Sequence, residues 1–324
     1  MVIALSTQQG GFIKHYVASN YAGGIMNTTE AKAVMGMLTI LFFLSLWKIL
    51  YNPTIKTLIA DKWISFKLIK KIAVSHDTIK VTFENPLGPK ALLGLPIGQH
   101  ISFKFKDDEG KDVIRSYTPI TGDELPGSVT FVIKVYKAGV HPKFPDGGKM
   151  SQYVDSVKIG ESILFRGPKG SLDYKSCGKF SIVKPRKPID KRVAKRIGMI
   201  AGGTGLTPML QVILAVLRDE KDHGTTMHLL LANQSVEDIL LKDTLDSLAK
   251  NYPTRFFVSY TLDRPPKNWK GYEGFINKEM IEECLPTAAE DVQVFMCGPP
   301  PMIKFACEPN LEKCGFKSNQ LYVF

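Results

Sequence analysis

No two cysteines in this sequence are spaced C-x-x-C. The five present, Cys177, Cys284, Cys297, Cys307 and Cys314, form no even framework. That argues against a zinc ribbon, an iron–sulfur cluster or disulfide staples, and it suits a reducing compartment. H-E-x-x-H and G-x-S-x-G are both missing, so zinc-protease and hydrolase readings lack support. An RNP-like aromatic motif and zinc-finger spacing are missing too, so no nucleic-acid partner is expected despite a net charge of +11. A basic balance of that size suits a membrane surface or an acidic protein partner instead. Most of the excess is spread out, but KPRKPIDKRVAKR, 184–196, packs seven cations around one acid. Its prolines oppose a helix, so 181–196 is expected to be a basic linker. A solvated linker is the plainer reading, and contact with an acidic partner or a membrane is the alternative.

Charge is also absent from 33–47, AVMGMLTILFFLSLW. With Lys48 snorkelling, residues 33–50 offer about 18 positions, near the lower limit for a span. A secretory signal would lie closer to Met1 and end in a small-residue cleavage site. A buried core helix is the alternative, but the run has no polar stripe at helical period. A membrane anchor helix is therefore expected at 33–50, behind a short tail, 1–32. Lys48, Lys56, Lys62 and Lys67 follow it, and only Lys14 and Lys32 precede it. The positive-inside tendency then places the larger part in the cytosol. The first 32 residues lack arginine, which opposes a matrix presequence.

From 64 to 180 the sequence reads as β. KLIKKIAVSHDTIKVTFENP carries apolar and β-branched residues in alternating runs and breaks at Asn85–Pro86. GQHISFKF and SVTFVIKVYK alternate with period two, and Gly94, Pro96, Gly98, Gly110, Gly122 and Gly127 punctuate them. Such spacing predicts an antiparallel barrel or sandwich. After 196 the rhythm changes. IGMIA (197–201), HLLLA (228–232), RFFVSYT (255–261) and VQVFMC (292–297) read as strands. PMLQVILAVLRDE (208–220) and KDTLDSLAKN read as helices between them. That alternation predicts a parallel, doubly wound α/β sheet over 197–324.

GMIAGGTGLTPML, 198–210, nearly spells G-x-G-x-x-G, with Pro208 in the third position. At a strand-to-helix turn, Gly202, Gly203 and Gly205 let backbone N–H groups approach phosphate oxygens, and the helix N-terminus adds partial positive charge. Pro208 fits the first helical turn, and Thr207 is the expected N-cap. A plain tight turn is the alternative. A second turn, MCGPPPMI (296–303), leaves the last of these strands. Ligands of open α/β sheets bind outside the carboxyl ends of strands, so two such turns point to one crevice.

Seven short motifs follow one another: RSYTP (115–119), GGKMSQY (147–153), GPKG (167–170), GGTGLTP (202–208), YTLDRPPKNW (260–269), CGPPPM (297–302) and YVF (322–324). By these, residues 64–324 resemble the NADH–cytochrome b5 reductases, within the ferredoxin–NADP reductase-like flavoenzymes. The resemblance implies an antiparallel β-barrel FAD domain, 64–180, and an α/β parallel-sheet NADH domain, 197–324. An N-terminal transmembrane helix would stand ahead of both, as in membrane forms of the family. FAD and NADH are the implied cofactors, with no metal. A hydride would pass from NADH to FAD, and single electrons from there to cytochrome b5, an acidic haem protein. Alternatives are a related NADH-dependent flavin reductase with another acceptor, such as a quinone or ferric chelate, and a non-catalytic tethered binding module. No HPGG-like haem motif or plant-type cysteine cluster supplies an acceptor within the chain. The endoplasmic reticulum is the expected membrane, with the mitochondrial outer membrane as alternative.

The resemblance also implies residue roles. Arg115 would pair with the FAD pyrophosphate, beside Ser116, a task that suits its forked donors. Tyr117 would pack along the flavin, and Thr118 would hydrogen-bond near its N5. Val132 and Lys134 would lie close by, Lys134 near the nicotinamide as well. Gly148, Lys149, Met150 and Ser151 would form the second pyrophosphate clamp. His100 would sit close to the flavin, and Thr207 would reach toward it. Gly203, Thr204, Gly205, Gly298, Pro299 and Met302 would line the dinucleotide, with Cys297 at the nicotinamide. Thr118, Cys297, His100 and Lys134 are the implied catalytic set. Asp263 would accept a ribose 2′-OH and repel a 2′-phosphate, favouring NADH. Phe324 stands where plant-type relatives place an aromatic over the flavin. Plainer readings exist for each: a surface ion pair, a generic glycine turn, a solvent-facing lysine, a structural histidine, a buried thiol. Thr121–Gly122 and Lys137 depart from the serine-rich stretch and the aromatic usual in relatives.

Overall fold

An apolar helix, Thr28–Leu50, forms from the uncharged run. The computed structural model describes residues 28–50, 55–140 and 145–324, in two units, Met1–Thr54 and Ile55–Phe324. Most of the expected tail lies outside the described residues. The Thr39 hydroxyl donates back to the Met35 carbonyl at 2.8 Å, which hides its polarity within the helix. Met35, Met37, Leu38, Ile40, Phe42 and Phe43 are all exposed, so the helix has no buried stripe across this stretch. Among the described residues, no helix is long and apolar enough to cross a membrane.

The second unit opens with six antiparallel strands. They are β1 (Ile64–Ala73), β2 (Thr78–Glu84), β3 (His100–Lys106), β4 (Asp112–Tyr117), β5 (Ser128–Lys134) and β6 (Ser162–Lys169). Their order is β4-β3-β6-β1-β2-β5. Alternation sets the faces: Ile79, Val81 and Phe83 of β2 point inward, while Lys80 and Glu84 point out. Phe66, Phe83, Phe103, Phe131 and Phe165 fill the interior, with the Phe103 and Phe165 rings stacked 4.1 Å apart. Two bonds draw the β4 and β5 edges together. Ile120 N–H donates to the Thr130 carbonyl, and Thr130 N–H donates to the Thr121 hydroxyl, each at 2.9 Å. Thr121 thus helps close the sheet.

A small antiparallel sheet follows, of β7 (Leu172–Ser176), β8 (Lys179–Ile182) and β9 (Asp190–Val193). The expected linker 181–196 is therefore partly strand. Asp190 faces Ile182 across the β8–β9 ladder, and Arg192 donates to Gln293 at 3.0 Å. Inward hydrogen bonds give the basic run a structural role that its proline content conceals.

Six parallel strands complete the unit: β10 (Arg196–Gly202), β11 (Thr226–Asn233), β12 (Phe256–Leu262), β13 (Tyr272–Glu273), β14 (Val292–Cys297) and β15 (Leu321–Val323). The order is β13-β12-β11-β10-β14-β15. Ile197, Met199 and Ala201 of β10 join the core under helix Leu206–Arg218. Ile200 points the other way, into the core that holds Ile281 and Leu311. Burial on both faces explains the continuous apolar run of β10. The chain leaves β10 toward β11 on one side, and β14 pairs on the other. That reversal opens a crevice at the carboxyl ends of β10 and β14.

Candidate functional site

A cleft of about 1440 Å³ occupies that crevice and extends over the antiparallel sheet. Every residue assigned a site role from the sequence lines it, from His100 and Arg115 through Lys149, Gly203 and Asp263 to Met302. Phe324 lines it as well, held edge-on against Phe295 and Tyr322.

On the antiparallel side, Arg115, Ser116 and Tyr117 are the last residues of β4 rather than a loop beyond it. Strand alternation therefore sets their directions. Arg115 donates to the Ile114 carbonyl at 2.7 Å and has no carboxylate partner among the described residues. It is a cation left available in the cleft. Burial pushes the Tyr117 phenol up to about 12, which keeps it neutral. Across the cleft, Gly148 precedes helix Lys149–Ser156. Gly148 N–H donates to the Tyr136 carbonyl at 2.8 Å, and the Ser151 hydroxyl accepts from Tyr136 N–H at 3.1 Å. The first helical N–H groups lack intrahelical acceptors and lie at the cleft wall. Lys149 is tied to Asp107 at 3.0 Å. His100 is half-buried, and burial, then Lys169, holds its imidazole below the ordinary value and so neutral.

The parallel side is built from two glycine turns in contact. Gly203–Gly205 form a 3-10 turn leading into helix Leu206–Arg218. A Cβ on Gly205 would stand 2.1 Å from the Cys297 carbonyl oxygen, so only glycine lets the two turns meet. Gly203 differs: its φ is +53° and a Cβ there would meet nothing within 4 Å. One glycine packs; the other leaves space. The expected N-cap at Thr207 is corrected. Gly205 takes that position, and Thr207 lies inside the first turn, its hydroxyl donating to the Thr204 carbonyl at 3.2 Å. The preceding 3-10 turn starts the winding earlier than the proline suggests. Burial raises the Cys297 thiol to about 11, which makes it a neutral group and not a thiolate. Asp263 follows β12 at the exposed rim. Partial desolvation by neighbouring chain raises its carboxyl, and Arg264 offsets that only in part.

Sequence reasoning missed several lining residues. Phe275 and Phe305 are 78% and 71% exposed within the cleft, unusual for phenylalanine. Asn233, at the end of β11, is buried, yet its Nδ2 has no hydrogen-bond partner. Asp238 also lines the cleft. The one local signal was Phe275 next to Gly274 in a loop; the others depend on tertiary placement.

An unpaired arginine, a helix N-terminus, an open glycine turn and an orphaned amide are donors awaiting acceptors. Exposed aromatic faces beside them suit planar rings. The residues present thus fit a flavin and a nicotinamide dinucleotide, each with a pyrophosphate. Fold and cleft together define a two-domain oxidoreductase that takes FAD on its antiparallel half and NAD on its parallel half. Residues 65–174 match the oxidoreductase FAD-binding domain family, and 199–308 the oxidoreductase NAD-binding domain family. NADH–cytochrome b5 reductase 2 of Xenopus laevis is 53% identical over 77% of this chain and 83% of its own. NADH–cytochrome b5 reductase 1 of Homo sapiens is 48% identical over 84% of this chain and 89% of its own. The cytochrome b5 reductase domain of Ulva prolifera nitrate reductase superposes with a TM-score of 0.78 at 42% identity. It covers 83% of this chain and 100% of that domain. The chain belongs to the NADH–cytochrome b5 reductase family.

Proposed function

We propose that this protein draws reducing equivalents from NADH through FAD and delivers them to cytochrome b5. The observation that carries this is the single cleft shared by both halves, which gathers every family-assigned residue. The flavin supplies the conversion from two-electron to one-electron chemistry; the protein supplies orientation and electrostatics.

Arg115 and the N–H groups at Lys149–Ser151 would hold the FAD pyrophosphate, with Ser116 beside them. Tyr117 and Val132 would pack on the flavin. The Thr118 hydroxyl lines the cleft and makes no hydrogen bond among the described residues, so it would be free to meet the ring near N5. Neutral His100 adds no charge there, and Thr207 approaches from the parallel half. Gly203, Thr204, Gly205, Gly298, Pro299 and Met302 would shape the NADH channel. Protonated Cys297 would pack against the nicotinamide without attacking it. Phe275 and Phe305 offer faces for the adenine, and Asp263 would take the ribose hydroxyls.

Although no described helix is long and apolar enough to cross a membrane, the exposed phenylalanines and leucines of Thr28–Leu50 support attachment of the 33–50 segment to a lipid surface. Its flanking lysines favour a cytosolic catalytic part. The endoplasmic reticulum is the proposed membrane, with the mitochondrial outer membrane as alternative.

The test uses the full chain purified in detergent. Bound flavin should bleach on addition of NADH and recover when oxidised cytochrome b5 follows. A preparation without flavin, or a flavin untouched by NADH, would sink the reading. Recovery with quinone or ferric chelate but not cytochrome b5 would reassign the acceptor.

A further inference from the structure

The turn after β11 makes a contact that cofactor binding leaves unexplained. Lys134 Nζ lies 2.9 Å from Asp77 Oδ2 and 2.7 Å from Asp238 Oδ1. Lys134 ends β5, and Asp77 immediately precedes β2, both in the flavin half. Asp238 closes the turn Val236–Asp238, in the nicotinamide half. All three side chains are only 13 to 22% exposed, so this is not a solvated surface pair of little worth. His76, Asp77 and Asp238 place ligand atoms within 4.8 Å of one another, a spacing a metal ion could use. The cation that holds both carboxylates is instead the Lys134 ammonium. Burial pushes each carboxyl up, but bonding to Lys134 outweighs it and holds both below the usual range.

Asp238 reaches two ways. Its Oδ2 accepts from the Ser235 backbone N–H at 3.1 Å and the Ser235 hydroxyl at 3.0 Å. One carboxylate thus ties β5 to this turn. The turn continues from Asn233 and Gln234, which line the cleft. Their carbonyls accept the N–H groups of Asp263 at 3.0 Å and Arg264 at 2.9 Å. Bonds therefore run from Lys134, through Asp238 and its turn, to Asp263.

We propose that Asp238 is a positioning residue: it pins the Ser235–Asp238 turn to the flavin half and so sets where Asn233 and Asp263 hold NADH. This rests on the NADH–flavin reading above. Lys134, held by two carboxylates, acts mainly as the anchor of this tie. The two halves are joined independently elsewhere. Gly98 N–H donates to Gln211 at 2.7 Å, and Val132 shares a buried core with Leu206. Removing the tie should loosen one turn without parting the halves.

The test uses the FAD-loaded full chain carrying Asp238→Asn, which can still accept from Ser235. Without NADH, amide hydrogen exchange over 234–239 should quicken by about tenfold, as expected for losing a charge-assisted bond. Helix Leu206–Arg218 should exchange as in the parent. NADH should bleach the flavin about tenfold more slowly, while bleaching by dithionite, which needs no NADH site, stays unchanged. Asp238→Glu, which keeps the charge, should recover most of the rate. Parent-like exchange over 234–239 overturns the tie. Faster exchange with unchanged bleaching by NADH overturns the positioning role. A parent protein whose flavin ignores NADH would instead refute the proposed activity, and the exchange result would still decide the tie.

Discussion

Asp263 stands just past β12 with its N–H donated to the Asn233 carbonyl at 3.0 Å. Its backbone is thereby fixed, while its carboxylate stays exposed and makes no ion pair among the described residues. At the proposed ribose position this carboxylate would accept from a 2′-OH and repel a 2′-phosphate. Asp263→Thr should therefore lower the ratio of kcat/KM for NADH over NADPH by about tenfold or more, mostly through KM for NADPH. Steady-state kinetics with both nucleotides check this, and an unchanged ratio would remove the residue from cofactor selection. The place of Asp263 in the cleft wall was foreshadowed because it sits inside YTLDRPPKNW, a motif that the family resemblance assigns to the nucleotide. Asn233 and Asp238 were not. An asparagine at a strand end and an aspartate in a turn are common, and only the folded path brings them to the cleft. Thr207 shows a different gap: its type suits a cap, but the 3-10 turn ahead of it had already begun the helix.

Among elements, the turn after β10 carries the sharpest contrast. Gly203 and Gly205 are two apart in one motif yet serve opposite needs. An alanine at 205 would press its Cβ onto the Cys297 carbonyl oxygen at 2.1 Å, backbone that cannot swing aside. Gly205→Ala should destabilise the protein by about 2–3 kcal/mol, the range for a buried steric conflict, and widen the crevice. An alanine at 203 faces open space and bears only the strain of φ +53°. Gly203→Ala should then cost about 1 kcal/mol. Its added methyl group would crowd the channel, so KM for NADH should rise while Tm falls less than in Gly205→Ala. Thermal melting and NADH titration of both variants decide the matter; equal losses of Tm would mean that Gly205 does not join the turns. Strands and helices here were readable because their periods are clear. β10 and helix Leu206–Arg218 lie within a residue or two of where apolar spacing puts them. The 184–196 run misled because composition reports solvation and not pairing: β9 pairs with nearby β8, and Arg192 bonds to distant Gln293.

Across the whole molecule, a net charge of +11 is large for 324 residues, and its distribution is informative. Within 184–196, Arg192 is bonded to Asp190, and Arg196 to Asp291 at 2.6 Å. Lys184, Arg186, Lys187, Lys191 and Lys195 are exposed and form no salt bridge among the described residues, so their fields reach solvent. An acidic haem protein diffusing nearby would be drawn and oriented by such a surface, which raises encounter rates more than it deepens binding. Screening sets the test. The Debye length shrinks from about 30 Å at 0.01 M salt to about 8 Å at 0.15 M, so attraction at a distance is mostly lost over that interval. Turnover with cytochrome b5 at subsaturating concentration should fall by about tenfold between those salts. Reduction of the flavin by NADH, which involves no protein encounter, should change far less. Charge reversal at Lys187 and Lys191 together should flatten the salt dependence while leaving NADH-driven bleaching intact. If cytochrome b5 turnover ignores ionic strength, or if the reversed variant keeps the parent's slope, the basic run serves only the β8–β9 hairpin and steering must come from elsewhere.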